Sequence, residues 1–385
     1  MSRAQTNSPP APTRVDPGIA LATGLLVAIG VVMSYSATAA LALDRSIPPL
    51  FFDHLVGLIL GAIAGAAAYR MPASVLQRSA LPFYALTIAL LVATLAFGVR
   101  VNGAQRWVDV LGLRFQPGEL AKCATLLAVA AWLSRPDDRR ELSTRRSIQA
   151  AGLALLPAGL LLMQPDLGNA VVVVVLAAGL LFIAGTPWPR FVLPGLAGLA
   201  IVSAYVVTHA YAWRRVMGFL DPYREARGAG WQLVQSYVAF GQGGLLGKGL
   251  GNGRQKLDYL PEAHTDFVLA LIAEELGLVG VLFVLGGFAA LWVAGTRAAR
   301  RATDRFDLLC AFAMVTLLTI PAFINASVVM GLVPTKGLTL PFLSYGRTSL
   351  VVSCFALGIL LGVARRYPPI RPTRSEPEAA WQGAG

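Results

Sequence analysis

Residues 259–267 read Tyr259-Leu260-Pro261-Glu262-Ala263-His264-Thr265-Asp266-Phe267. They close a long polar, glycine-rich segment and open an apolar run over 265–295. A helix needs roughly 20 apolar residues to cross the hydrocarbon of a bilayer. The junction therefore sets a carboxylate, Asp266, where a water-facing loop meets a membrane helix. Similar runs extend outward on both sides, at 18–41, 51–69, 80–98, 117–134, 148–163, 168–186, 190–211, 306–331 and 346–364. The fold class is all-α: a polytopic helical membrane protein of about ten transmembrane helices with one large extracytoplasmic loop, 212–264. The runs are continuous and do not alternate, which excludes a membrane β-barrel.

Composition agrees. Only 14% of the 385 residues are charged and 56% are hydrophobic, where soluble domains carry about 25% charged residues. The net charge of +12 would suggest nucleic acid in a soluble chain. Here most of the excess arginine lies in short loops and tails that anchor a membrane protein to lipid head groups, so no nucleic-acid partner is expected. Cys123, Cys310 and Cys354 fall inside apolar runs and read as small core residues.

Arg135, Arg145, Arg146, Arg297, Arg300, Arg301, Arg305, Arg365 and Arg366 cluster in loops on one side of a ten-span topology. Positive charge in short loops marks the cytoplasmic face. Both tails, a disordered 1–17 and a basic, proline-rich 365–385, are then cytoplasmic, and 18–364 forms the membrane domain. Within loop 212–264, Trp231, Val234, Tyr237 and Val238 recur at helical spacing, which predicts an interfacial helix around 230–241.

Several residues could carry chemistry. With Thr265 as N-cap and Asp266 in the first helical turn, the carboxylate would be favoured by exposed N–H groups and the helix dipole. A proton acceptor needs the same placement, reachable from water; the two readings differ in what Asp266 faces. Glu274 and Glu275 lie roughly 12 Å further along the axis. They read either as structural bonds to neighbouring helices or as functional intramembrane charges. Glu119 and Lys122, at i and i+3, can pair or can line a cavity. Asp166 reads as a cap for the sixth span. Outer cations, among them Arg106, Arg214, Arg215, Lys248, Lys336 and Arg347, suit either a pyrophosphate ligand or lipid anchoring.

Other motifs are missing. Gly241–Gly249 resembles a P-loop but has no Ser or Thr after Lys248. The sequence contains no Asp-x-Asp pair for a metal-held nucleotide sugar, no zinc spacing and no Gly-x-Ser-x-Gly elbow.

Four stretches together resemble the SEDS family of bacterial shape, elongation, division and sporulation proteins. They are Gly103–Trp107 with Gln116–Lys122; Gln164–Gly168; Leu260–Phe267 with Glu274–Gly277; and Pro334–Gly346. Pro261–Phe267 and Pro334–Phe342 are closer to the division branch (FtsW-like) than to the elongation branch (RodA-like). The resemblance implies a peptidoglycan glycosyltransferase of the inner membrane that polymerises lipid II at the extracytoplasmic face, for septal synthesis, and releases undecaprenyl pyrophosphate. It also implies a class B penicillin-binding transpeptidase (FtsI-like) and divisome proteins as partners. It maps the family's essential aspartate onto Asp266 as the catalytic residue. The substrate-binding candidates are Arg106, Trp107, Glu119, Lys122, Arg214, Lys248, His264 and Lys336. No cofactor is assigned, and a divalent cation, Mg or Mn, bridging Asp266 and the pyrophosphate stays open. Gly118 stands where the family has Ser, and Arg347 where it has a small residue. A lipid II flippase, an elongation-type polymerase and a non-catalytic scaffold are the alternatives. A flippase would need a route to both faces, against which the one-sided loop counts.

Overall fold

The structure is a computed structural model. It describes residues 15–39, 48–101, 104–110, 113–135, 143–224, 228, 230–257, 260 and 263–369. The N-terminal tail before residue 15 and the C-terminal tail from 370 fall outside them, as do Gly103, Tyr259, Pro261 and Glu262 of the stretches read above. The described residues form α1 (Pro17–Ala39), α2 (Pro49–Arg70), α3 (Ala73–Phe97), β1 (Val99–Val101), β2 (Ala104–Val110), β3 (Leu113–Phe115), α4 (Pro117–Leu133), α5 (Thr144–Met163), α6 (Leu167–Ile183), α7 (Pro189–Thr208), α8 (Ala210–Leu220), α9 (Trp231–Gly243), α10 (Val268–Arg301), α11 (Arg305–Val329) and α12 (Arg347–Arg366). Each of the ten apolar runs coincides with one of these helices. Eight are long and apolar enough to cross a membrane; α4 and α6, of 17 residues each, are shorter. The chain is a multi-pass helical membrane protein.

The all-α class holds, with one short sheet added to the helices. Residues 99–115 make a small antiparallel sheet, ordered β1-β2-β3, with Val99 opposite Trp107 and Val108 opposite Phe115. The stretch Gln105-Arg106-Trp107-Val108-Asp109-Val110 holds an aromatic and two β-branched residues, which suit a strand. It is too short to change the class.

α4, α10, α11 and α12 form the centre. α4 buries Glu119, Lys122 and nearly every apolar side chain, whereas α7 buries none. A stripe of glycine on α2 lets α12 approach to backbone contact. A Cβ at Gly61 would stand 2.9 Å from Cys354 Sγ, and one at Gly65 2.7 Å from the Cys354 carbonyl oxygen. From the other side, a Cβ at Gly358 would lie 2.1 Å from the Gly65 carbonyl oxygen. In lipid, such small-residue stripes replace the hydrophobic effect as the source of helix association, because dispersion contacts grow as backbones close.

The two ends of the bundle differ chemically. At one end Asp16 pairs with Arg301, Arg366 with Asp307, and Arg305 donates to the Ala184 carbonyl. The arginine-rich segments thus gather on one face, along with both ends of the described chain. The opposite end carries Asp266 and the sheet.

Gly358→Leu should force α2 and α12 apart and lower stability by about 1–3 kcal/mol, as overpacking does. Gly24→Ala, at a position with open space around it, should not. Thermal unfolding in detergent compares the two.

Candidate active site

The turn before α10 is built by hydrogen bonds from elsewhere in the chain. Tyr345 N–H donates to the His264 carbonyl at 2.9 Å, and Ser344 Oγ–H donates to the Thr265 carbonyl. The Asn325 amide, on α11, donates to the Asp266 carbonyl at 2.7 Å. Three successive carbonyls are therefore taken by groups outside α10, two by Tyr345 and Ser344 and the third by Asn325 of α11. The helix starts only after Phe267, whose carbonyl accepts from Ala270 N–H at 2.9 Å. This corrects the sequence reading: Thr265 is not an N-cap, and Asp266 lies two residues before the helix, in a turn, half-buried.

The carboxylate faces the backbone of Gly337 so closely that a Cβ there would come within 2.6 Å of Asp266 Oδ2. Next to it, the Lys336 stem lies on Gly168, with its Cε 3.3 Å from where a Cβ would stand. Burial lowers the Lys336 pKa to about 8, with the Asp166 carboxylate pulling the other way. Asp166 caps α6, accepting from Asn169 N–H at 3.2 Å. Arg215, on α8, donates to the Thr335 carbonyl at 3.0 Å and holds this loop from the far side. Tyr345 hydroxyl donates to Asp53 at 3.2 Å, and Arg347 stands 3.8 Å from the same carboxylate. Burial and Asp53 push the Tyr345 phenol up to about 12, so it keeps its donor proton.

A second buried assembly sits where α10 breaks. Gly277 has φ 68° and ψ −166°, a conformation open to glycine alone. The break is filled by the segment after α9: Lys248 and Gly249 N–H donate to the Glu274 and Glu275 carbonyls, and Leu278 and Val279 N–H donate to the Gly244 and Leu245 carbonyls. Glu274 accepts from Arg254 and Gln255 N–H at 2.9 and 3.1 Å. Glu275 accepts from Ser36 on α1 at 2.7 Å, Lys256 at 2.8 Å and Gly251 N–H at 3.0 Å. The expected bonds to neighbouring helices are thus mostly bonds to the loop. α9 appears where the periodicity predicts a helix, but it packs its Leu233, Ser236, Ala239 and Gly243 stripe inward, and Ser236 donates to the Val329 carbonyl at 2.7 Å.

The order of these pieces along the chain matches known proteins. A family model described as a cell cycle protein, covering FtsW, RodA and SpoVE, matches residues 18–367. The chain belongs to this family. A protein of Geobacter metallireducens named probable peptidoglycan glycosyltransferase FtsW is 41% identical over 360 residues, covering 92% of this chain and 95% of its own. One of the same name from Trichlorobacter lovleyi is 39% identical over 343 residues, covering 88% and 90%. Among solved structures, a chain from work described as "Structural coordination of polymerization and crosslinking by a peptidoglycan synthase complex" is 33% identical with TM-score 0.75, covering 91% of this chain and 98% of its own. The rod shape determining protein RodA of Thermus thermophilus is 30% identical with TM-score 0.67, covering 91% and 97%.

The candidate substrate residues divide in this family member. His264, Lys336 and Asp266 share one locus, with the His264 ring 5.7 Å from that of Tyr345. Glu119 and Lys122 pair at 2.8 Å, buried, and Gly118 beside them faces Asp166 and Asn169. Arg106 donates to the Gln164 and Pro165 carbonyls, so it fastens β2, with half-buried Trp107, to the Asp166 turn. Arg214 bonds back to its own helix, at the Ala210 carbonyl; the neighbouring Arg215 is the one that reaches the Lys336 loop. Lys248 pairs with Glu274 and Gln242 at the α10 break. Sequence reasoning missed Asn325, Gly337 and Ser344 as builders of the site. Gly337 and Ser344 lie in the stretch Pro334–Gly346 that carries the family resemblance, whereas Asn325, inside an apolar run, carried no signal. Among the described residues no three His, Cys, Asp or Glu side chains gather to hold a metal ion.

Removing one partner of a buried ion pair strands the other at a cost of about 3–5 kcal/mol. Glu275→Leu should therefore lower the unfolding temperature and open segment 248–257 to protease, whereas Ser36→Ala, which leaves Lys256 paired, should do much less. Limited proteolysis and thermal melts distinguish the two.

Proposed function

We propose that the chain is a peptidoglycan glycosyltransferase that polymerises lipid II at the extracytoplasmic face of the cytoplasmic membrane, with Asp266 as its general base. The observation that carries this is the placement of Asp266: half-buried, at the end of the bundle opposite the arginine-rich face, in a turn whose backbone is held by bonds from α11 and the 338–345 segment. A general base must be fixed in orientation and reachable by its substrate; the bonded backbone of this turn and the partial exposure of Asp266 support that role. The names of the curated relatives support the reaction class.

The acceptor sugar's 4-hydroxyl attacks the anomeric carbon of the donor, whose prenyl tail lies in the bilayer. The hydroxyl proton passes to Asp266, the new glycosidic C–O bond forms, and the bond from the anomeric carbon to pyrophosphate breaks. Undecaprenyl pyrophosphate leaves with its charge near Lys336, whose position is steadied by Arg215 through Thr335. Glu119, Lys122, Arg106 and Trp107 flank the Asp166 side of the same end and fit a role in shaping the sugar or pyrophosphate site. A magnesium or manganese ion, if used, fits the pattern of one protein carboxylate plus phosphate and water ligands; Asp266 would be that carboxylate and the ion would neutralise pyrophosphate charge. The division role rests on the FtsW names of the relatives. A penicillin-binding transpeptidase as partner is consistent with the synthase complex that one structural neighbour comes from.

Asp266→Asn should lower polymerisation of lipid II by about 10²–10⁴-fold, the usual contribution of a general base, with expression unchanged. Gel analysis of glycan strands made by the purified protein, with and without a cognate transpeptidase, measures it; near-normal synthesis would refute the assignment. The Lys336 charge sets a second expectation. Its folded pKa of about 8 means the ammonium is present below that pH and is lost as pH rises through it. Activity should fall above about pH 8, and Lys336→Arg should move that limb upward. The pH profile of kcat reads this out.

A further inference from the structure

We infer that Asn325 is a positioning residue for the Asp266 chemistry, setting the distance between the aspartate and the Gly337–Leu338 backbone. This rests on the reading of Asp266 as general base. Asn325 lies within the apolar α11 and is fully buried, at 0% exposure. Its Nδ2 donates to the Asp266 carbonyl at 2.7 Å and to the Leu338 carbonyl at 2.6 Å. Both partners are carbonyls, so only the NH₂ end of the amide can face them. The two acceptors belong to segments about 70 residues apart in sequence, and one atom holds both. Because Leu338 follows Gly337, fixing its carbonyl also fixes the backbone that meets the Asp266 carboxylate.

The choice of residue is informative. Two N–H donors on a single uncharged atom are available only from Asn or Gln. Ser or Thr would satisfy one carbonyl, and Lys or Arg would bring charge into the bundle. The amide is kept although its own Oδ1 is buried with no hydrogen-bond partner among the described residues. An orphaned buried acceptor is unfavourable, so a packing role alone would be better filled by Leu. With Tyr345 and Ser344 on the two preceding carbonyls, Asn325 completes the set of bonds that holds the turn before α10.

The test is steady-state polymerisation of lipid II by the purified chain, measured as kcat and KM with a thermal melt of each variant. Asn325→Leu should lower kcat by about 10²-fold, as a displaced catalytic group does, while KM changes by less than about threefold. Asn325→Ser, which keeps one donor, should fall between Leu and wild type. Thr319→Val is the control: Thr319 is equally buried on α11, and its hydroxyl donates only to the Val315 carbonyl. It should keep full kcat even if its melting temperature falls. A folded Asn325→Leu protein with wild-type kcat overturns the inference, as does a kcat loss that Thr319→Val matches at equal loss of melting temperature. If the Leu variant does not fold, a wild-type kcat in Asn325→Ser overturns it instead. Asp266→Asn, run alongside, separates the two claims: full activity there defeats the reading of Asp266, whereas an inactive Asp266→Asn with a fully active Asn325→Leu defeats the positioning role alone.

Discussion

A backbone that leaves helical geometry inside a membrane protein must find partners for every group it frees, since lipid supplies none. The break in α10 at Gly277 meets that constraint with the segment that follows α9. Four backbone bonds with the 244–249 segment replace the interrupted ladder, and Glu274 and Glu275 turn their carboxylates to the same loop. The loop's glycines allow it to lie against helix backbone; Gly243 and Gly247 both sit where a side chain would strike α10. The stretch that resembles a P-loop is thus a plug for a broken helix. With that plug in place the short first segment of α10, from Val268, can hold Asp266 at its mouth.

The same logic governs the other side of the site. Close packing of α2 on α12 through small residues brings Asp53 within reach of Tyr345 and Arg347. Tyr345 is in turn bonded to His264, so α2 is linked through one aromatic residue to the turn that carries Asp266. Arg347 is accommodated at the first position of α12 by the Asp53 carboxylate on the facing helix. A phenol held neutral by burial and by Asp53 keeps this link a neutral-donor hydrogen bond to a charged acceptor.

Much of this was legible from residues alone. The ten helices follow from apolar length, and the cap at Asp166, the pair Glu119–Lys122 and the helix near 230 follow from local spacing. Asp266 stood out because a carboxylate at a loop-to-membrane junction can face a membrane-borne substrate and still meet water, and because the family resemblance maps an essential aspartate onto it. Other parts were hidden for identifiable reasons. Glu274-Glu275-Leu276-Gly277 reads as continuous helix, because the bonds that open it come from residues about 30 positions earlier. Arg214 and Arg215 are adjacent on α8, and which one reaches Thr335 depends on how that helix is rotated against the loop. Lys248 looked available to a ligand until its distance to Glu274 was known.

Local patterns operate over a turn of helix or a strand, so by itself the sequence determined the membrane class, the order of the spans, the grouping of arginine into alternate loops and the candidate aspartate. Only the tertiary structure decided where α10 begins, which cation steadies the Lys336 loop, and that an amide in the middle of an apolar run holds the aspartate. These depend on hydrogen bonds between segments separated by 59 positions or more. No periodicity or spacing encodes such contacts until the chain is folded.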